Sequence, residues 1–563
     1  MSNKKLLWVV AVVVLLNLLT YFWHFRIDLT KEGRYTLSDV TKSYADSVTQ
    51  PVVVTMYLDG ELNSGFRRLR RQVVETLTEI SYEIDKTDFR VVTVNPGDLS
   101  KEVGVKLQRE LSEAGLAAIP VFETKEDGQK TRSIVYPFAK ISTEGKHVWV
   151  NLLDNVPGLS GEENLNRSME TIEYKVTEAL MRLTRTAVPK VAFLEGHGEL
   201  DEYDVVSATE QLAEHFYVDR GAIGDDPTVL SPYKVVIIAK PSAQFSEKDK
   251  FVLDQYLMRG GRLLWLVDAV NMTTDTLRNM PHTIGLLADH NLSDQLFVYG
   301  VRLKPAIVED LNCGMIAVSV PSNDGRTQLL PMPWVYSPLL STNMTHTVTR
   351  NVSLVRADFC SSVDTVGEDL GLIRTPLLRT SSHSKLTAAP VMASLSTIHQ
   401  QPDPNAYGLS HLTVAIAEEG SFKSAFVHRK APKGLKTEQK VIEKSVPTKM
   451  IVVADGDIIR NGVRFKHTAN PSIVPLGYDE LSRQTYGNSD FIVNAVQYLA
   501  DDGGLMELRN RTFDLQLLDR QMISAGTVSY KVVTIAVPLL IITIVGFAIY
   551  IMRRRRYARR VGE

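Results

Sequence analysis

KVAFLEGHGE, Lys190 to Glu199, is the stretch that decides how this chain is read. Lys190 to Leu194 has the continuous apolar run of a buried strand, and the strand stops at Glu195-Gly196-His197-Gly198-Glu199. A helix is expected near Asp204 to His215. YKVVIIA (Tyr233 to Ala239) is the next strand, turned by Lys240-Pro241. Ser246 to Arg259 reads as a helix, with Ser246 and Asp249 as a capping pair and Gly260-Gly261 as its stop. RLLWLV (Arg262 to Val267) follows as a strand ending at Asp268. Strands alternating with helices predict a parallel, doubly wound α/β sheet, begun in residues 189–310. KMIVVA (Lys449 to Ala454), its acidic turn Asp455-Gly456-Asp457 and a helix over Phe491 to Ala500 close that domain in residues 449–505. Residues 311–448 read as an inserted β-rich lobe. Strands are expected there at Gln328–Leu330, Leu412–Glu418 and Ser424–His428. Pro331 to Trp334 reads as a turn, Thr380 to Lys385 as a mobile loop, and Ala431 to Ser445 as an exposed linker.

Upstream, residues 48–155 carry a second α/β pattern. Strands are predicted at Pro51–Leu58, Arg90–Val94, Ile119–Glu123, Thr131–Tyr136 and His147–Leu152, with helices at Phe66–Ile84 and Lys101–Ala114. The outline is thioredoxin-like, but no CxxC motif is present, which excludes redox chemistry of that kind. Arg67, Arg68, Arg70 and Arg71 read as a solvated helix face with Glu75 and Glu79 as partners, in preference to an anion site. Residues 156–188 hold a linker helix striped by Leu165, Met169, Ile172, Val176 and Leu180.

Both ends read as membrane spans. VVTIAVPLLIITIVGFAIYIM (Val532 to Met552) contains no charge and is long enough to cross the hydrocarbon core. Arg553 to Arg556, with Arg559 and Arg560, hold its far end in the cytoplasm by the positive-inside rule. The apolar run over residues 6–25 exits through Tyr21, Phe22, Trp23, His24 and Phe25. That aromatic belt favours an uncleaved anchor over a signal peptide. The expectation is a two-pass membrane protein with both termini cytoplasmic and about 500 residues on the far side, enough for about three domains. A net charge of −2 argues against general nucleic-acid affinity. The two cysteines, Cys313 and Cys360, exclude a disulfide scaffold, a zinc ribbon or an iron–sulfur cluster. They are the one candidate disulfide.

Chemistry is thinly signalled. Glu195, His197, Glu199 and Asp268 all fall at strand ends, where open α/β sheets bind ligands. Three readings of the first three are weighed: a glycine-permitted turn with a locally bonded His197, a ligand or partner site, and an acid–base or metal set. A fourth metal ligand is missing nearby, so no metal or cofactor is expected. Amidotransferase and hydrolase sheets place Cys or Ser on a sharp turn after a strand. Here the matching strand end carries Asp268-Ala269-Val270, and no catalytic residue is assigned. No GxxxxGK[ST] occurs, so the chain is not expected to hydrolyse ATP.

Asp28-Leu29-Thr30 and Arg34-Tyr35-Thr36-Leu37-Ser38 resemble the opening of the GldG family, the gliding-motility-associated ABC transporter auxiliary or substrate-binding-like components. FLEGHGE, GGRLLWLVD, residues 291–310 and the strand with its acidic turn near residue 450 resemble further blocks of that family. The doubly wound module itself is similar to class I glutamine-amidotransferase-like folds. The resemblance implies a non-ATPase auxiliary subunit of an ABC-2-type transporter, with a permease and an ATP-binding subunit as partners. Its large extracytoplasmic domain would recognise a partner or cargo. The competing readings are a membrane-anchored hydrolase or amidotransferase-like enzyme and a structural envelope scaffold.

Overall fold

The computed structural model describes residues 8, 36–124, 130–156, 159–321, 327–367, 371–436, 440–466, 468, 470–510 and 520–558. The expected span at residues 6–25 lies outside these, Trp8 excepted. The chain divides into two compact units, Met1–Arg511 and Thr512–Glu563.

The first unit opens with helix α1 (Asp39–Asp46). Ser38 is its N-cap and accepts from the Thr41 N–H, and Leu37 is buried beside it. Strand β1 (Val52–Met56) leads through α2 (Ser64–Glu83) to β2 (Phe89–Thr93), which pairs parallel to β1. Leu69, Val73, Leu77 and Ile80, spaced by three and four, are the fully buried stripe of α2. Helix α3 (Lys101–Glu113) is followed by a separate hairpin of β3 (Ile119–Thr124) and β4 (Lys130–Val135). Then come β5 (Phe138–Thr143), which lies outside the strands expected from sequence, and β6 (Lys146–Asn151). The resulting four-stranded sheet has order β2-β1-β5-β6, with β5 antiparallel to both neighbours.

The expected linker helix is α4 (Gly161–Thr184), started by a capping box of Ser160 and Glu163. It ties residues near 40 to residues near 500. Its buried Glu173 accepts from the Ser38 N–H and the Thr41 hydroxyl, both at 2.8 Å. Its Tyr174 hydroxyl reaches Gln497 Oε1 at 3.4 Å and Met506 Sδ at 3.7 Å. A Cβ built on Gly503 would stand 2.6 Å from the Tyr44 hydroxyl, so residues near 40 and near 505 are direct neighbours.

Beyond α4 come β7 (Lys190–Glu195), α5 (Val206–Ala213), β8 (Tyr217–Ala222), β9 (Val235–Ala239), α6 (Glu247–Met258) and β10 (Arg262–Leu266). A short helix, α7 (Ser293–Tyr299), is capped by Gly300 at φ 110°. The later strands are β11 (Cys313–Pro321), β12 (Thr327–Thr342), β13 (Ile373–Arg379), β14 (Thr413–Gly420) and β15 (Thr448–Val453), and α8 (Asn488–Ala500) follows. They join the earlier ones in one sheet of order β11-β12-β13-β14-β15-β10-β9-β7-β8. The five strands β15-β10-β9-β7-β8 are parallel. Numbered along the chain their order is 2-1-3-4-5, a doubly wound arrangement whose switch point lies between β7 and β9. Core residues of α5 and α8 pack one face, and those of α6 and α7 pack the other.

The β-rich insertion does not stand apart. Strand β14 pairs antiparallel with β15 and carries the sheet on into β13 and β12. Three expectations within it are corrected. Pro331 to Trp334 is no turn but lies inside β12, paired to β11. Pro331 and Pro333 share one parity, so both missing N–H groups fall on one edge of the ribbon, as strand prolines must. Ser424 to His428 is no strand: the buried Asp254 accepts from the Ser424 hydroxyl and the Ala425 N–H and bends the chain into turns. Thr380 to Lys385 is no loose loop, because Asp310 gathers the Ser381 N–H and the Ser381 and Ser384 hydroxyls into a buried network. Cys313 and Cys360 are free thiols, Cys360 fully buried.

The second unit is helix α9 (Arg520–Ala558), of which Val532–Arg555 is long and apolar enough to cross a membrane. Except for Ile551, its apolar side chains from Val532 to Met552 are exposed, which a helix meant for water avoids.

Candidate functional site

The parallel strands deliver charged residues to one place at their carboxyl edge. Lys240 follows β9, Asp268 stands two residues past β10, and Asp455 stands two past β15. Lys240 takes a left-handed φ of 55°, which turns its stem toward the β15 loop. Its Nζ lies 3.2 Å from Asp268 Oδ2 and in contact with Asp457. Gly456 fits only because it lacks a side chain: an added Cβ would sit 2.6 Å from Lys240 Cβ. Its N–H instead donates to Asp268 Oδ1 at 2.5 Å. Asp455 accepts from the Asp457 N–H at 2.7 Å and the Asp358 N–H at 3.0 Å.

One ammonium thus faces three carboxyls out of water. Burial pushes Asp268 above the usual carboxylate range, against the pull of Lys240. Asp455 is raised well above that range by burial first, and then by Asp457 and Asp268. Burial would lower the Lys240 ammonium, but Asp268 and Asp457 outweigh it and raise it.

Through Asp457 the cluster borders a cavity of about 820 Å³ whose wall also includes Arg460, Asp204, Lys466 and Asp275. Arg460 joins these carboxylates, meeting Asp275 at 2.9 Å, Asp204 at 3.5 Å and Asp457 at 3.6 Å. Lys466 meets Asp204 at 2.7 Å and Asp201 at 2.8 Å.

The four candidates from sequence separate. Only Asp268 enters this cluster. Glu195 turns to Arg220, whose Nε donates to it at 2.8 Å. His197 and Glu199 form a closed knot with Asp249. The ring bonds Glu199 through Nδ1 at 3.1 Å and Asp249 through Nε2 at 3.3 Å, and it stacks on Phe245 at 3.6 Å. Burial would lower its pKa, but the two carboxylates carry it up to about 9. The backbone joins in: the His197 carbonyl accepts from the N–H groups of Ser242 and Ala243. Gly198 sits at φ 71°, where an added Cβ would come within 2.2 Å of Ser242 Oγ. Both ring nitrogens are therefore engaged, Nδ1 within the β7 loop and Nε2 on α6, while the His197 carbonyl ties the β7 and β9 loops across the switch point. No group of three or more His, Cys, Asp or Glu among the described residues could hold a metal ion.

Lys240, Asp455, Asp457 and Arg460 were missed as site residues. For the first three the signal was present, since each lies within four residues of the end of a parallel strand; Arg460 lies further along the β15 loop. In the sequence Lys240-Pro241 reads as a turn, and Asp455-Gly456-Asp457 reads as a turn in preference to a calcium loop, because the downstream acidic spacing does not fit an EF-hand.

This cluster and most of the cavity fall in residues 188–495, which match the ABC_transp_aux family, described as an ABC-type uncharacterized transport system, over more than half of the 563 residues. The chain belongs to the ABC_transp_aux family. It is accordingly an auxiliary component of an ABC-type transport system, and the family segment runs from β7 into α8. Residues 31–142 match a second family, a domain of unknown function (DUF7088). No curated protein matches the sequence. Among solved structures, the mmIFT52 N-terminal domain is similar at 13% identity, with 58% of this chain and 100% of that one covered and a TM-score of 0.31. A ThuA-like protein from Parabacteroides merdae is similar at 12% identity, with 56% and 90% covered and a TM-score of 0.26. An exo-β-1,4-mannosidase from Opitutaceae bacterium strain TAV5 gives 10% identity, 69% and 46% coverage and a TM-score of 0.20.

Proposed function

We propose that this chain is a non-ATPase auxiliary subunit of an ABC-2-type transporter, gliding-motility-associated like the GldG proteins it resembles. Its globular unit lies outside the cytoplasm and recognises a partner or cargo. Separate chains supply the permease and the ATPase. The reading places the protein in the bacterial inner membrane as a two-pass subunit with both termini cytoplasmic.

One observation carries it: the transport-family segment, residues 188–495, shares a chain with the apolar helix Val532–Arg555, and arginines close that helix. The neighbouring ends of the globular unit, near residues 40 and 505, suit a domain held by two anchors. The order 2-1-3-4-5 supports an amidotransferase-like core, and β6-β5-β1-β2 with an antiparallel β5 supports a thioredoxin-like first domain. A non-catalytic role fits the His197 knot, whose ring has no free nitrogen. It also fits the thiols: burial pushes Cys313 up to about 11, leaving it a poor nucleophile at neutral pH.

The test is affinity purification of the tagged full chain from mild-detergent extracts of native membranes. Recovery of a multi-spanning permease and a nucleotide-binding subunit is expected. A chain that comes through alone from membranes containing both would favour an envelope scaffold. Turnover by the purified chain that is lost in His197→Gln would favour the hydrolase reading.

A further inference from the structure

We infer that the cavity at the carboxyl edge of the sheet is a binding site for an uncharged, polyhydroxylated ligand, a saccharide or a glycan head group. The inference deepens the recognition role proposed above by naming what is recognised.

Size and place come first. A cavity of about 820 Å³ lies within the range of built small-molecule sites and at the edge where such sheets bind ligands. Charge then narrows the class. The wall carries five carboxylates against four cations, close to neutral. Each cation is already engaged: Arg460 and Lys466 as described, Arg356 by Asp358 and Asp479, and Arg278 by Asp275. Among the described residues a phosphate or nucleotide would find no unpaired positive group, and a simple cation would meet carboxylates already neutralised.

At the wall, Asp457 carries a buried acceptor oxygen that has no donor. Its side chain is only 10% exposed, and its Oδ1 accepts no hydrogen bond. Arg460 Nη1 stands off at 3.6 Å. A buried acceptor without a donor is costly, and a ligand hydroxyl supplies the donor. The same hydroxyl can also accept from a guanidinium, so vicinal hydroxyls suit paired Asp and Arg side chains.

Two aromatic rings complete the chemistry. Phe465 is 70% exposed on the cavity wall and is held at a left-handed φ of 56°, a strained backbone for a residue with a bulky side chain. Tyr478 lines the same wall and is also exposed. A phenyl ring held in water at conformational cost is stabilised when the apolar C–H face of a sugar ring covers it.

The experiment uses the full chain, fluorescently labelled in detergent, in two arms. One arm is an array of immobilised neutral oligosaccharides. The other is phosphatidylcholine vesicles with and without a monoglycosyl diacylglycerol. ATP and inorganic phosphate serve as anionic probes. Binding to at least one neutral glycan is expected, weakened at least tenfold by Phe465→Ala and by Asp457→Asn. Phe465→Ala removes an exposed ring, so an unchanged melting temperature separates lost binding from lost fold. Array binding alone identifies a free saccharide; vesicle binding alone identifies a lipid-borne head group. Failure in both arms overturns the inference, as do binding unaffected by Phe465→Ala and preferential binding of ATP or phosphate. A chain that fails both arms yet still co-purifies with permease and ATPase removes this inference and leaves the transporter reading standing.

Discussion

His197 holds its proton for the sake of the fold, and the sign of its pH dependence follows. A histidine raised to about 9 contributes stability that is complete below its ordinary value near 6.5 and is lost as pH climbs through 9. Asp249, pulled down by the same hydrogen bond against burial, loses its contribution as pH falls. Thermal unfolding of the full chain in detergent is therefore expected to weaken between about pH 6.5 and 9, by up to about 3 kcal/mol. His197→Gln should flatten that slope, and an unchanged slope would contradict the assignment. Lys240 is the sharper case. Replacing it with Met leaves Asp268, Asp455 and Asp457 without their ammonium, at an expected cost of about 3–5 kcal/mol. Adding Asp268→Asn should recover part of the lost melting temperature, since it removes one of the stranded charges.

At the scale of elements, Asp254 on α6 is a fastener. Its carboxylate accepts from Ser424, Ala425, Gln255 and Tyr299 and pins the start of the 422–445 segment to the α6 face of the sheet. Asp254→Ala should strand those donors and raise hydrogen–deuterium exchange across 422–445 while β7 to β10 stay protected. The local cost is about 2–4 kcal/mol. Gly456→Ala should cost about 1–3 kcal/mol, because the added methyl meets Lys240. These elements also mark what a sequence reader can see. The α2 stripe and the apolar runs of β7, β9, β10 and β15 carry their own periodicity, so their positions were legible to within a residue or two. Strand β8, YVDRGA, is a half-polar edge strand that only pairing with β7 makes a strand. The 424–428 and 380–385 segments look like a strand and a loop because Asp254 and Asp310, more than seventy residues away in sequence, set their shape. The site was half legible for the same reason. Strand ends could be listed, but which of them share a floor depends on the order 2-1-3-4-5.

For the whole molecule, the proposed topology has a direct readout. Glu144→Cys, on an exposed turn, should react with a membrane-impermeant maleimide in cells whose outer membrane is permeabilised. Gly562→Cys, beyond the arginine run, should react only after lysis, with both natural cysteines replaced by Ser. Reaction of the second position in intact cells would sink the two-pass arrangement. The globular unit has one more property worth drawing out. Glu173 grips Ser38 and Thr41, Tyr174 grips Gln497 and Met506, and the two grips are consecutive on one helix. Residues near 40 and near 505 thus lie side by side. Splicing residue 510 to residue 36 through a few glycines and serines, and cutting the chain at the Gly145 turn instead, would rearrange the gene without asking any core side chain to move.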